Sequence, residues 1–292
     1  MRFGTLILPE YPWSEAKAFW QRAEELGFEH VWTYDHLTWR SFRDKAWYSA
    51  IPTLTAAALV TKRIRLGTMV ASPNFRHPLP FVKELLTLDD VANGRLILGI
   101  GAGSSGWDAT MLGNKAWTPA ERAARFGEFV QLSDQLMRQR GTSFQGQYYS
   151  VNEARTYPSS IQQPRIPFAI AATGKKGMAL VAKYADIWIT NGDRKQNRMM
   201  SGKEGAQVVK MQMERLHQIC EENGRLPQTL RHLVLTGPRL SSGLESSDAF
   251  QDTIGHYAEI GITDFVVHWP RPTEPYAANL KTFEAIFSTI NK

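Results

Sequence analysis

The 292-residue chain has few of the features that mark several common protein classes. A single cysteine, Cys220, rules out an internal disulfide. No apolar run approaches the roughly 18 residues that a membrane-spanning helix requires. The apolar stretch that opens the chain meets Pro9 after a few residues, so it does not form the long core of a signal peptide. We therefore expect a cytoplasmic protein with no membrane contact.

Motifs for metals, nucleic acids and dinucleotides are also missing. The seven histidines show no HExxH pattern or other close metal spacing, so we predict no metal site. The 34 Lys and Arg exceed the 28 Asp and Glu but are scattered, which argues against nucleic-acid binding and suits an anionic cofactor or substrate, or simply a solvated surface. Gly101-Ala102-Gly103 lacks the third glycine and the later acid of a dinucleotide-binding motif.

The chain does have a regular alternation of short apolar runs with longer stretches of helical period. Eight such pairs lie between Phe3 and Ile290. Eight βα units in about 290 residues predict one closed (β/α)8 TIM barrel over residues 1–292, because a doubly wound open sheet usually has fewer strands. A long irregular insertion at about 141–167 is predicted to pack over the C-terminal ends of the strands, with disorder as the alternative.

Polar and aromatic residues follow several predicted strands, where barrel active sites form. Asp35-His36 follows strand two and offers an imidazole that titrates near neutral pH beside a carboxylate, which suits proton transfer. A structural pair that caps the loop is the alternative. Trp39, Trp107 and Trp269 lie in strand-end loops, where they could form the walls of a slot for a planar ring.

A glycine-rich turn, Thr173-Gly174-Lys175-Lys176-Gly177, leads from strand five into a helix. Its backbone amides and the positive end of the helix could hold a phosphate, with the lysines adding charge. An ordinary βα turn is the alternative, since the spacing alone does not separate the two.

Several stretches of the sequence together resemble the bacterial-luciferase-like monooxygenase superfamily. They occur in the same order as in that superfamily, and they cover residues 28–37, 64–68, 75–78, 88–89, 94–95, 98–103, 182–188 and 265–268. The superfamily contains enzymes that use reduced flavin mononucleotide (FMN) with oxygen, and enzymes that use the deazaflavin coenzyme F420 for hydride transfer. The Asp-His pair with a nearby Trp looks more like the F420 branch.

The resemblance implies a role for residues at most strand ends. Asp35 would contact the cofactor, and His36 would donate or accept the substrate proton at the reacting centre. Ser72 matches a position where the family often has a bulge or cis peptide beneath the ring. The other implied cofactor residues are Ala102, Gly103, Trp107, Thr173, Gly174, Lys176 and Gly177, and the implied substrate residues are Asn191 and Arg194. Trp39 and Trp269 are added to the predicted substrate residues because they lie in strand-end loops.

One departure from the family concerns a second acid. Some deazaflavin dehydrogenases have Glu directly after the Gly-x-Gly, where this chain has Ser104. The departure argues against sugar-phosphate dehydrogenase chemistry and leaves Asp108, or no residue, as the second acid.

The sequence hypothesis is an F420-dependent oxidoreductase that transfers a hydride to or from a small organic substrate. An FMN-dependent monooxygenase and a non-catalytic cofactor-binding barrel are the alternatives. A homodimer that associates through the early helices is implied by the resemblance alone.

Overall fold

A computed structural model describes residues 1–237 and 239–290 of the chain. Eight parallel strands close into a barrel, and eight helices surround it, which confirms the predicted (β/α)8 TIM barrel. The strands follow one another around the barrel in the order β1, β2, β3, β4, β7, β8, β9, β10, and β10 pairs with β1 to close it. The remaining strands, β5 and β6, form a separate antiparallel hairpin.

The elements have the following bounds. The strands are β1 (Arg2–Leu6), β2 (His30–Thr33), β3 (Arg65–Thr68), β4 (Leu96–Gly101), β5 (Gly141–Gln145), β6 (Ser150–Arg155), β7 (Phe168–Ala171), β8 (Ile187–Thr190), β9 (Arg231–Leu235) and β10 (Asp264–His268). The helices are α1 (Trp13–Glu25), α2 (Ala50–Val60), α3 (Pro78–Val91), α4 (Pro119–Arg138), α5 (Lys175–Tyr184), α6 (Gly202–Glu222), α7 (Ser247–Glu259) and α8 (Leu280–Ile290).

The barrel buries apolar side chains on both faces of its strands. Side chains that point inward, such as Trp32 and Ile97, form one cluster, and those that point outward pack against the helices in a larger one. Strands β3 and β4 approach so closely that a Cβ on Gly99 would lie 1.8 Å from the Thr68 carbonyl oxygen, so only glycine fits there.

Side-chain caps fix where several of the helices begin, and in α7 the cap is Ser246, which accepts a hydrogen bond from the Ala249 amide. Helices α4 and α6 start with capping boxes, formed by Thr118 with Glu121 and by Ser201 with Glu204. Helix α3 starts at Pro78, and the Nδ1 atom of the preceding His77 accepts a hydrogen bond from the Leu79 amide. These caps place the first turns of the helices at the C-terminal face of the barrel.

The prediction that the 141–167 segment covers the strand ends is wrong. Its hairpin lies against α4, where the Glu128 carboxylate accepts hydrogen bonds from the amides of Tyr148 and Tyr149. Further along, Gln162 donates to Asp89, at the end of α3, and to the Leu96 carbonyl, at the start of β4. The segment therefore runs along the side of the barrel and ends beneath the N-terminal ends of the strands.

The last helix also begins later than the pattern predicts. The apolar period suggests a start at Tyr276, whereas α8 begins at Leu280. Residues 270–279 instead form a loop in which Tyr276 reaches the barrel mouth. Among the helices of the described residues, none has the length and apolar character needed to span a membrane.

Candidate active site

A cavity of about 370 Å³ opens at the C-terminal ends of the barrel strands. Residues that follow β2, β3, β4, β7, β8 and β9 line it, together with Tyr276. Of the residues predicted from the sequence, the cavity wall contains His36, Trp39, Ser72, Ala102, Gly103, Trp107, Thr173, Asn191 and Arg194. The predicted residues Asp35, Gly174, Lys176, Gly177 and Trp269 are outside this wall.

His36 forms a close hydrogen-bonded pair with Asp108 at one side of the cavity. The Nδ1 atom of His36 contacts the Oδ2 atom of Asp108. The other carboxylate oxygen, Oδ1, accepts hydrogen bonds from the backbone amides of Leu37 at 2.8 Å and Thr38 at 3.4 Å. Because these amides hold the carboxylate as an acceptor, the Nδ1–H of His36 donates to it, and no hydrogen bond within the described residues engages Nε2.

The side chain of Asp35 lies outside the cavity wall and pairs with Arg76, and its predicted contact with the cofactor stays a prediction. Arg76 Nε donates to Asp35 Oδ2 at 2.6 Å, and Arg76 Nη2 donates to Oδ1 at 2.8 Å. Successive side chains of an extended strand point to opposite sides, so Tyr34 and His36 point inward and Asp35 points out towards α3. Asp35 thus forms a buried ion pair with Arg76 at the end of β2.

The structure separates the three tryptophans. Trp39 and Trp107 line the cavity. Trp269 is only 4% exposed and packs between Phe19 of α1 and Phe283 of α8, with ring centroids 5.8 and 5.3 Å apart. Because the preceding His268 points inward, Trp269 points outward, so the structure does not place it in a substrate site.

Small residues at the ends of β3 and β4 form part of the cavity wall. Ser72, Ala102 and Gly103 lie there as predicted. Gly103 has φ +75°, and a Cβ on it would lie 2.6 Å from the Asn74 side-chain oxygen, so the position requires glycine. The nonproline cis peptide of this region joins Met69 to Val70, and Ser72 lies two residues beyond it.

The predicted phosphate turn lies at the rim of the cavity. Thr173 lines the cavity, and Gly174 precedes the first residue of α5 without a side-chain cap on the first-turn amides. Lys175 and Lys176 are exposed beside them. The strand-to-helix geometry that we inferred from the sequence is therefore present, and the binding of a phosphate there stays a prediction.

A buried tyrosine–histidine cluster at the base of the cavity was missed by the sequence reasoning. The hydroxyl of Tyr34 lies 2.8 Å from His268 Nε2 and 3.3 Å from the hydroxyl of Tyr276, and the His268 and Tyr276 rings are stacked. Burial lowers the pKa of His268 to about 3, and burial also raises the pKa of Tyr34 well above its ordinary value. His268 is therefore neutral and accepts a hydrogen bond from Tyr34.

Three arginines, Arg40, Arg194 and Arg239, line the other side of the cavity. Only Arg194 was predicted, because Arg40 and Arg239 lie in long loops whose sequence carries no motif. Burial lowers the pKa of Arg194, and the positive charges of Arg239 and Arg122 lower it further. Among the residues that the structure describes, no cluster of His, Cys, Asp or Glu has the geometry of a metal site.

The closed barrel with a cavity at the carboxyl ends of its strands defines the class of the protein as a (β/α)8 barrel with a ligand site at the usual face. Residues 1–238 match the family model of the luciferase-like monooxygenases. The chain belongs to this family, as the sequence motifs predict.

A relative from Amycolatopsis mediterranei is named F420-dependent glucose-6-phosphate dehydrogenase and is 36% identical to this chain over 186 residues. The match covers 63% of this chain and 51% of the relative, so the chain matches only about half of the relative's length.

Two solved structures share the fold over nearly the whole chain. The coenzyme F420-dependent tetrahydromethanopterin reductase from Methanopyrus kandleri superposes with a TM-score of 0.78 at 20% identity, covering 100% of this chain and 97% of that one. The monooxygenase RslO1 from Streptomyces bottropensis has the same TM-score and identity, covering 99% and 98%. At these identities the likeness concerns the fold alone.

Proposed function

We propose that the chain is an F420-dependent oxidoreductase that transfers a hydride between the coenzyme and a small organic substrate. The observation that carries the proposal is the His36–Asp108 pair, which presents a free imidazole nitrogen to the cavity. The name of the Amycolatopsis relative supports F420 as the cofactor. We further propose a cytoplasmic homodimer that associates through the early helices, where Leu59 of α2 is 74% exposed.

The cavity fits a planar, anionic cofactor in size and in chemistry. Its volume lies within the roughly 300–1,000 Å³ that is usual for small-molecule sites. Ser72, Ala102, Gly103 and Thr173 lie at the ends of β3, β4 and β7, where small side chains leave room for a ring system. Trp107 extends beside them, and the amides of Gly174 to Gly177 would hold a phosphate, with Lys176 adding charge.

A bound deazaflavin would accept or supply the hydride. In the oxidising direction, His36 Nε2 takes the proton of a substrate hydroxyl, and in the reducing direction it returns that proton. Asp108 holds the imidazole in the tautomer that leaves Nε2 free and stabilises the imidazolium once it forms. Trp39 and Asn191 line the part of the cavity where the substrate would bind.

Cofactor titration tests the proposal. The purified chain is titrated separately with F420 and with FMN, and binding is followed by absorbance and fluorescence. We expect F420 to bind more tightly than FMN. Ala102→Phe, which fills the cavity, should weaken F420 binding by about tenfold or more, the scale of a lost contact of 1.4 kcal/mol or above. Ala124→Phe, on an exposed position of α4, is the matched control and should leave binding unchanged.

Two outcomes would contradict the F420 proposal. Preferential binding of FMN, followed by rapid consumption of oxygen once the flavin is reduced, would favour the monooxygenase alternative. Failure to bind either cofactor would favour a barrel without catalysis.

A further inference from the structure

The cavity carries an excess of positive charge that the proposed hydride and proton transfer does not require. Among the described residues that line it, Asp108 is the single carboxylate, and it is paired with His36. Three guanidinium groups, those of Arg40, Arg194 and Arg239, share the same wall.

These arginines differ from others that lie near the cavity in having no carboxylate partner. Arg76 is paired with Asp35, and Arg271 donates to Glu10 at 2.9 Å. Within residues 1–237 and 239–290, no ion pair or side-chain hydrogen bond involves Arg40, Arg194 or Arg239, and the buried Nε of Arg239 has no hydrogen-bond partner. Arg40 and Arg194 are exposed, whereas a buried guanidinium N–H without an acceptor is costly, so Arg239 Nε is a donor that an anion bound in the cavity would satisfy.

The charges of the three guanidinium groups act on one another or on the nearby Tyr276 hydroxyl. The pKa of Tyr276 is raised by burial, while its hydrogen bond with Tyr34 and the positive charges of Arg40 and Arg239 act to lower it. Arg239 and Arg194 in turn lie close enough for each charge to affect the other. The loops after β2, β8 and β9 thus place the three charges in one cavity wall, with Arg40 and Arg239 acting on Tyr276 and Arg239 acting on Arg194.

The position of this cluster separates it from the residues proposed for the cofactor. Those residues follow β3, β4 and β7, which form one continuous arc of the barrel. Arg194 and Arg239 follow β8 and β9, and Tyr276 follows β10, on the opposite arc. His36 and Arg40, after β2, lie where the two arcs meet.

We propose that Arg40, Arg194 and Arg239 form an anion subsite that binds a carboxylate or phosphate group of the substrate. The proposal rests on the proposed function, since it assumes that the cofactor occupies the other arc. It restricts the substrates to small anionic compounds whose reacting carbon lies between the anionic group and His36.

Binding of inorganic phosphate tests the subsite independently of turnover. Phosphate is titrated into the F420-loaded protein and into the protein without cofactor, and binding is measured by ³¹P NMR or calorimetry. Arg194→Met and Arg239→Met should each weaken phosphate binding by about 10- to 100-fold, the usual effect of removing a charged hydrogen-bond donor. Lys195→Met removes one charge from the same loop outside the cavity wall, so it should change phosphate affinity less than about twofold.

The dissociation constant of F420 shows whether the anionic group that binds the arginines belongs to the substrate or to the cofactor. If the group belongs to the substrate, both arginine variants bind F420 like the wild type, and phosphate does not compete with F420. If phosphate and F420 compete and both variants lose F420 affinity, the arginines hold the cofactor and the substrate assignment is wrong. Unchanged phosphate affinity in variants whose unfolding curves match the wild type would overturn the subsite. If the chain binds phosphate through these arginines but does not bind F420, the subsite stands and the proposed function fails.

Discussion

Each end of the barrel has a pair of histidine and aspartate, and the surroundings of these two pairs differ completely. His36 and Asp108 lie at the C-terminal mouth, where the His36 side chain is 25% exposed to the cavity. His30 and Asp264 lie at the N-terminal end of the barrel, where both side chains are almost fully buried. The two pairs therefore show which structural property separates a candidate proton-transfer pair from a structural one.

The pair at the N-terminal end has no hydrogen-bonding capacity left for a ligand. His30 Nδ1 accepts a hydrogen bond from Trp32 Nε1 at 2.7 Å, and His30 Nε2 lies 3.0 Å from Asp264. Asp264 also accepts hydrogen bonds from Arg2, Arg231 and Thr263. Burial alone would raise the pKa of Asp264, but the hydrogen bonds from His30 and Arg231 hold it well below its ordinary value.

The pair at the mouth combines the same two side chains with open space. One imidazole nitrogen of His36 is held by Asp108, and the ring borders a cavity large enough for a ligand. A free nitrogen next to a cavity, and not the pairing with aspartate, therefore distinguishes a candidate proton-transfer group from a structural one.

The largest stability difference between the two ends should come from Asp264→Asn. Removing this charge leaves His30 and Arg231 without their buried partner, and we expect a loss of about 3–5 kcal/mol in the free energy of unfolding. Asp108→Asn is the matched control at the mouth and should cost less than half as much. Urea unfolding measures both, and equal losses would show that the pair at the mouth is also structural.

A smaller effect should appear when the pH is lowered. Burial lowers the pKa of His268 to about 3 and that of His232 to about 4, and it also lowers the pKa of His30. In the unfolded state these histidines bind a proton near pH 6.5, whereas in the folded state they do not. The free energy of unfolding therefore falls as the pH is lowered below 6.5.

Between pH 6.5 and pH 5, each histidine whose pKa in the folded protein is below 5 should remove about 2 kcal/mol of stability. Urea unfolding of the wild type and of His268→Asn at the two pH values measures this contribution. The variant should lose about 2 kcal/mol less than the wild type over the same interval. Equal losses would show that His268 is protonated in the folded state.

The sequence predicts the fold well because apolar periodicity and helix-breaking residues are local signals. Strand β8 has the predicted bounds, Ile187–Thr190, and α4 ends one residue before its predicted end at Gln139. The path of the 141–167 segment was not predictable in this way, because it depends on long-range hydrogen bonds such as that of Gln162 with Asp89.

The candidate site was predicted in part because strand ends converge in a barrel. Side chains alternate between the two faces of a strand. Applied to the residues after β2 and β10, this rule would have placed Tyr34 and His36 on the inner face and Asp35 and Trp269 on the outer face. Arg239 could not have been found by this rule, because its side chain reaches the cavity from an irregular loop.

The measurement that tests the central claim most directly is turnover of His36→Asn at saturating cofactor, on a substrate that reduces the bound cofactor in the wild type. We expect unchanged cofactor affinity and unfolding, with turnover lowered by about 10²-fold or more, the usual scale of a lost general acid or base. Asp108→Asn should also lower turnover strongly, since its amide can donate to Nδ1 and favour the tautomer in which Nε2 carries the proton. Near-wild-type turnover of His36→Asn with normal cofactor binding would contradict the account and make His36 a structural residue.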